Sequence, residues 1–91
     1  MMKKQLIHLL KDEVIPDLKD HEFAQVSADY ANNQAEEIYD FYERIVNHTD
    51  CESLLYEELR SRYGDNLQHP EPMIRKMMSV LESHPPQRLA A

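Results

Sequence analysis

Apolar residues recur along most of this 91-residue chain at intervals of three and four, the spacing that places side chains on one face of an α-helix. The first run predicts a helix over about residues 3–15, with Leu6, Ile7, Leu10 and Val14 inward. Pro16 should stop or kink this helix, because a proline inside a helix removes a backbone hydrogen bond. Leu18 continues the stripe, so residues 16–21 are predicted to form a connector or a bent last turn, with Asp20 as the candidate cap of the next helix.

The second run, over about residues 21–48, has the most regular pattern in the chain. Its apolar positions form two columns with a seven-residue period, Ala24, Ala31, Ile38 and Ile45 in one and Ala28, Ala35 and Tyr42 in the other. The opposite side carries an acidic column made of Glu22, Asp29, Glu36, Asp40 and Glu43. A helix with this pattern buries one side and exposes the other. The adjacent Asn32 and Asn33 leave open whether the helix is continuous or breaks there.

A third helix is predicted to begin after Thr49. Thr49 and Glu52 have the spacing of a capping box, in which each side chain accepts a hydrogen bond from the other residue's free backbone N–H. The inward positions of this helix are Leu54, Leu55, Leu59 and Tyr63. Gly64 follows at the place where a glycine in the left-handed conformation commonly ends a helix.

A fourth helix is predicted from the Pro70-Glu71-Pro72 segment to about His84. Proline suits a first turn, because the N–H that it lacks would have no helical partner there. The inward positions are Met73, Ile74, Met77, Val80 and Leu81. Pro85-Pro86 should end the helix, and residues 87–91 are predicted to form a flexible tail.

These four runs predict an all-α fold, a small helical bundle of about four helices with one long central helix in a single domain over residues 1–86. One glycine and no tryptophan fit a chain with few turns. The central helix would be ~40 Å long and the other three ~20 Å, which leaves part of it uncovered. Either a break at Asn32-Asn33 or a second copy of the chain would resolve this mismatch, so a homodimer is left open.

Composition and net charge indicate where the protein acts and which kinds of partner it does not bind. Cys51 is the only cysteine, so the fold needs no disulfide framework, and we expect a cytoplasmic protein. Charged residues interrupt every apolar run well before the ~20 residues that a membrane span requires. The net charge of −7 also argues against direct attraction to nucleic acid or to anionic lipid.

The charge is strongly segregated along the chain. Fourteen of the seventeen acidic residues lie between Asp12 and Glu58, where Lys19 and Arg44 are the only cations, so this tract carries −12. Both ends of the chain are slightly basic by comparison. A field of one sign favours partners of the opposite sign, so the expected partner is a basic protein.

Few residues suit catalysis or metal binding. His48 and Cys51 are the only closely spaced histidine and cysteine, and a structural zinc site would need a second such pair. A thiol at a helix N-terminus can have a lowered pKa, but no third group that would orient the histidine is recognisable. One glycine also leaves no glycine-rich phosphate loop. We therefore expect no enzyme activity, no metal site and no cofactor.

Aromatic and acidic residues coincide in the middle of the chain, and this combination indicates a protein-binding surface. The candidate contact residues are Glu36, Tyr39, Asp40 and Glu43. Tyrosine rings supply contact area, while carboxylates raise the association rate and exclude partners of like charge. The simpler interpretation is that the rings belong to the core and that the acids only keep a small protein soluble.

The pattern as a whole predicts a small acidic protein-binding module that docks a helical face on a basic site of a partner protein. If that site normally binds nucleic acid, the module would act as an inhibitor, an antitoxin or immunity-type protein, or a DNA mimic. The alternative is a structural or accessory subunit, or a secretion-type chaperone, that forms a helical dimer. Salt dependence separates the two hypotheses, because screening weakens charge-driven binding more than apolar docking.

Overall fold

The computed structural model describes residues 2–19 and 29–83. These residues form four helices, which confirms the predicted all-α fold. The first helix, α1, has three consecutive segments: it is α-helical over Met2–Leu9, π-helical over Leu10–Val14 and α-helical again over Ile15–Asp17. The other three helices are α2 (Tyr30–Ile45), α3 (Cys51–Tyr63) and α4 (Pro70–Ser83). Within the described ranges, the β-structure consists of one isolated antiparallel bridge between Leu18 and Leu67.

The helix α1 continues past the point where the sequence predicts its end. The backbone N–H of Ile15 donates to the carbonyl of Leu10, five residues earlier, so the turn before Pro16 is wider than an α-helical turn. A wider turn gives the proline ring room against the preceding carbonyl, with which it would clash in a regular helix. The chain leaves the helix at Leu18, which has φ −68° and ψ 141° and is buried as the stripe predicts.

The helix α2 is shorter than predicted. It begins at Tyr30, after Asp29 as N-cap, and ends at Ile45, whereas the sequence pattern predicted about residues 21–48. Asn32 and Asn33 lie inside the helix, which therefore does not break there. The inward columns are confirmed for Ala31, Ala35, Ile38, Tyr42 and Ile45, all of which are buried. The predictions for Asp20, Glu22, Ala24 and Ala28 fall on residues 20–28, outside the described ranges.

The shorter α2 removes the length mismatch from the described part of the bundle. Its 16 residues span about 24 Å, close to the roughly 20 Å of α3 and α4. Helix length therefore no longer calls for a second copy of the chain. The homodimer stays a hypothesis without that support.

The predicted capping box at the start of α3 is wrong. The N-cap is Asp50, one residue later than predicted, and no side chain caps the helix. Glu52 consequently occupies the second helical position instead of the third, where a capping-box residue is needed. The turn closes through its backbone instead, since the N–H of His48 donates to Ile45 and the N–H of Cys51 donates to His48.

Gly64 ends α3 in a different way from the one predicted. Its φ is −48° and its ψ −49°, so it has right-handed helical geometry, and no described glycine has a positive φ. A Cβ atom at this position would lie 2.6 Å from the carbonyl oxygen of Arg60. Glycine is therefore required for close backbone approach, and left-handed geometry is not the reason.

One apolar core fills the space between the helices. The helix α1 packs against α2 and α4, and α3 packs against the same two helices. Leu6, Ile38, Leu59 and Ile74, one from each helix, are almost completely buried. Burying a side chain of this size stabilises the fold by about 2 kcal/mol.

Helix α4 follows its prediction closely but is rotated relative to it. Ile74, Met77 and Leu81 are buried as expected, whereas Met73 and Val80 are only partly buried. Met78, which lies outside the predicted inward stripe of this helix, is 4% exposed. Ile74 and Leu81 are seven residues apart and lie at the centre of the buried face, with Met77 on one side of it and Met78 on the other. His84, Pro85-Pro86 and the predicted tail over residues 87–91 lie outside the described ranges.

Asp17 fastens the end of α1 to the start of α4. Its Oδ2 accepts the backbone N–H of His69 at 2.8 Å, and its Oδ1 lies 2.7 Å from Nδ1 of the same histidine. The backbone N–H of Gln68 donates to the Asp17 carbonyl, and that of Lys19 to the Asn66 carbonyl. Burial opposes ionisation of Asp17, but the bonds from His69 outweigh it and hold its pKa below the usual value.

Candidate functional site

The four residues predicted to bind a partner lie together on the side of α2 away from the core. We call this surface the α2 face and define it by Glu36, Tyr39, Asp40 and Glu43. Glu36 and Asp40 are exposed, and Tyr39 and Glu43 are partly buried. At 100° per residue, Glu36 and Asp40 lie on either side of the point opposite Ile38, and Ile38 is only 1% exposed.

Tyr39 lies at the boundary between this face and the core. Its ring packs against the buried cluster while part of it is exposed to solvent. Tyr42, three residues later, is 4% exposed and belongs to the core, so the simpler interpretation of the aromatic residues holds for it. Phe41 and Tyr56 are partly buried like Tyr39. Tyr39 is thus the ring that combines core anchoring with exposure beside the acidic column.

Cations are scarce around the α2 face. Between Asp29 and Glu58 the sequence has nine acidic residues and one basic residue, Arg44. The Arg44 guanidinium lies 5.9 Å from the centre of the Phe41 ring, at the edge of α2 away from Tyr39. Among the described side chains, no ion pair is formed by Asp40 or Glu43.

Two other acids nearby, Glu37 of α2 and Glu58 of α3, are bonded to an arginine. Arg62 donates to Glu58 at 2.8 Å and to Glu37 at 2.9 Å, and so links α3 to α2. Only 24% of the Arg62 side chain is exposed, which makes these bonds less screened than ordinary surface pairs. Glu37 and Glu58 are therefore neutralised within the fold.

The acids and cations between α3 and α4 also form pairs. Glu71 lies 3.1 Å from Arg60 and 3.8 Å from Arg75, and it accepts the Tyr56 hydroxyl. Lys76 of α4 pairs in the same way with Glu13 of α1. Each arginine and lysine of α3 and α4 thus has a carboxylate partner within the described ranges.

A groove runs along the outer side of α3 and α4, where the two helices meet. It consists of two volumes of about 230 and 240 Å³ that share Glu52, Arg75 and Met78 as lining residues. Tyr56 and Glu57 line the first volume, and Glu82 lines the second. Residue spacing could not locate this groove, because spacing marks outward positions but not the gap left between two packed helices.

The candidate nucleophile Cys51 has an unfavourable setting for catalysis. Burial raises the pKa of its thiol, and the nearby carboxylates of Glu82 and Glu52 raise it further. A raised pKa leaves less of the reactive thiolate at neutral pH than an ordinary cysteine would have. Across residues 2–19 and 29–83, no three metal-ligating side chains come together.

Comparisons of the chain with protein-family models, with curated proteins and with solved structures gave no match. None of the helices that the structure describes combines the length and the apolar character needed to cross a membrane. The charge and geometry of the chain itself are therefore the basis for assigning a function.

Proposed function

We propose that this protein binds a basic surface of another protein through the α2 face. One observation carries the proposal. Asp40 and Glu43 have no cationic partner among the described residues, whereas the acids beside them on the α3 side are neutralised by Arg62. Like charges three residues apart on a helix repel one another, so this arrangement lowers stability in the free protein. Cations from a partner would remove the repulsion.

The partly exposed Tyr39 supports the same proposal. Aromatic rings that are held rigidly by a core contribute binding energy at a low cost in side-chain entropy. Carboxylates around such a ring add long-range attraction, which increases the rate of association with a basic partner. The α2 face thus has an anchor and a steering field next to each other.

A partner that normally binds nucleic acid has the most suitable surface, because its groove is already basic. Carboxylates on a helix would occupy positions that phosphates take in the natural complex. The protein would then act as an inhibitor, as an antitoxin or immunity-type protein, or as a DNA mimic. It would bind neither nucleic acid nor membrane itself. A lone cysteine and the absence of any need for disulfides are consistent with action in the cytoplasm.

The test is capture of partners from the native cell lysate at about 50 and about 300 mM salt, followed by mass spectrometry. We expect a basic protein that is retained at low salt and lost at high salt. The variant Asp40→Lys/Glu43→Lys should lose this protein. The matched control Asp12→Lys/Asp65→Lys makes the same change in net charge at exposed positions outside the α2 face and should retain it.

Two results would contradict the proposal. Equal loss of the partner in both variants would mean that net charge, and not the α2 face, determines binding. Capture that persists at high salt, or recovery of this chain alone, would favour the alternative of a structural subunit or a helical dimer. Circular dichroism of each variant checks that the helices remain folded.

A further inference from the structure

The groove between α3 and α4 has an excess of negative charge. Three glutamates line it, Glu52, Glu57 and Glu82, and Arg75 is the single cation among its lining residues. None of these three glutamates forms an ion pair among the described side chains. The groove therefore has room for a further cation and carboxylates available to bind it.

Arg75 forms no ion pair with these glutamates, and its recorded contacts are with other residues. Its guanidinium lies 5.7 Å from the centre of the Tyr56 ring, and its Nε is 3.8 Å from Glu71 on the same helix. Arg60 is also engaged, since it lies 3.1 Å from Glu71. The cations nearest the groove are thus turned toward Glu71.

The groove also has apolar surface. Met78, which lines both volumes, is 4% exposed, and the partly buried Tyr56 ring lines the first volume. A lysine or arginine side chain has an apolar stem and a charged end, and it gains most where both parts find suitable surroundings. Methionine adapts readily to the shape of such a stem.

We propose that this groove binds lysine or arginine side chains of a basic segment in a partner protein. The stem would pack on Met78 and Tyr56, and the charged end would meet Glu52, Glu57 and Glu82. This site lies on α3 and α4, apart from the α2 face, and does not depend on the function proposed for that face.

The thiol of Cys51 lies near two of the groove glutamates. Burial raises its pKa first, and Glu82 and Glu52 raise it further. The same two glutamates line the groove. Carboxylates clustered in this way create a negative potential, which would attract an incoming cation.

The experiment is a titration of the full chain, carrying ¹³C-labelled methionine methyl groups, with a short synthetic peptide of alternating lysine and serine. We expect the Met78 methyl signal to shift in a saturable way. A control peptide with every lysine acetylated keeps the stems but loses the charges, and it should not shift the signal. The assignment comes from comparison with Met78→Leu, a conservative change in volume.

Two double variants that each remove two negative charges test whether the peptide binds in the groove. Glu52→Gln/Glu82→Gln should weaken peptide binding about fivefold, the effect of losing two exposed charge pairs. Asp40→Asn/Glu43→Gln removes the same charge from the α2 face and should leave the Met78 shift unchanged. An absent shift, or equal weakening in both variants, would overturn the groove proposal. Either result leaves the partner-capture test of the α2 face unaffected.

Discussion

Two acids of the α2 face, Asp40 and Glu43, and three acids beside the arginines of α3 are held in two different ways. Glu37, Glu58 and Glu71 are each bonded to an arginine. Asp40 and Glu43 have no such partner among the described residues. Asp40 and Glu43 therefore differ from Glu37, Glu58 and Glu71 in whether a cation reaches them. Paired acids stabilise the fold, and unpaired acids that lie close together on a helix lower its stability.

The largest effect on stability that we predict for a single carboxylate is at Asp17, whose two side-chain oxygens both contact His69. Asp17→Asn should lower the free energy of unfolding by about 2 kcal/mol, because a charged acceptor of the His69 N–H is lost from a site where only 13% of the side chain is exposed. Denaturant unfolding near neutral pH measures this. Asp12→Asn, at an exposed position on α1, is the control and should have little effect.

The Asp17 effect should also depend on pH. Its pKa is lowered in the folded protein, so its stabilising contribution is complete above the ordinary value of 3.8 and is lost as the pH falls through the folded pKa. The difference in unfolding free energy between the unsubstituted protein and the Asp17→Asn variant should therefore become smaller at acidic pH. A difference that grew in acid would show that the carboxylate form is not the one that the fold prefers.

The next largest loss of stability is expected from substitution of Arg62. Arg62→Met keeps the apolar stem but removes both carboxylate bonds and leaves Glu37 and Glu58 without a cation, so unfolding should require about 1.5 kcal/mol less. Arg44→Met is the matched control, because Arg44 is exposed and stacks on Phe41. Thermal and denaturant unfolding at low salt should separate the two variants. Similar losses in both would mean that the Arg62 pairs contribute little.

A smaller loss of stability is expected from substitution of Glu71. About half of its side chain is exposed, so removing its charge in Glu71→Gln should cost roughly 0.5 kcal/mol through its bonds to Arg60 and Arg75. The loss should decrease as salt is added. Glu57→Gln, an exposed acid on α3 without an ion pair in the described ranges, should be neutral by the same measurement.

The smallest effect has the opposite sign and tests the comparison most directly. Asp40→Asn/Glu43→Gln should raise the free energy of unfolding by about 0.3 kcal/mol, because like charges on one side of α2 are removed. Glu37→Gln/Glu58→Gln removes the same charge from the pairs with Arg62 and should lower it. Denaturant unfolding at low salt is the measurement. If both double variants shift stability in the same direction, the two regions do not differ as described.

The sequence pattern predicted the helices well and their ends poorly. Ile38, Tyr42 and Leu59 are buried because helical spacing places them on one side of an element, whatever its neighbours are. The ends depend on backbone bonds that have no counterpart in the pattern. Thr49 and Gly64 carry familiar end signals, yet backbone bonds from Cys51 to His48 and from Gly64 to Arg60 determine how the two turns close.

The candidate site could be predicted in part for the same reason. Glu36, Tyr39, Asp40 and Glu43 belong to one helix, so their common face follows from residue spacing alone. Whether their charges are neutralised depends on side chains from other helices. Glu37 is adjacent to Glu36 in sequence, yet its partner Arg62 is 25 residues away.

The sequence by itself determined the helical class, the inward columns and the concentration of acid in the middle of the chain, because each depends on spacing and composition within one segment. Only the tertiary structure decided which acids are paired, how Asp17 links the end of α1 to the start of α4, and where α3 and α4 leave a groove between them. Those features arise where separate helices meet, and the physical reason is distance. Hydrogen bonds and ion pairs act over a few ångströms, so only packing decides which charges come within reach of one another.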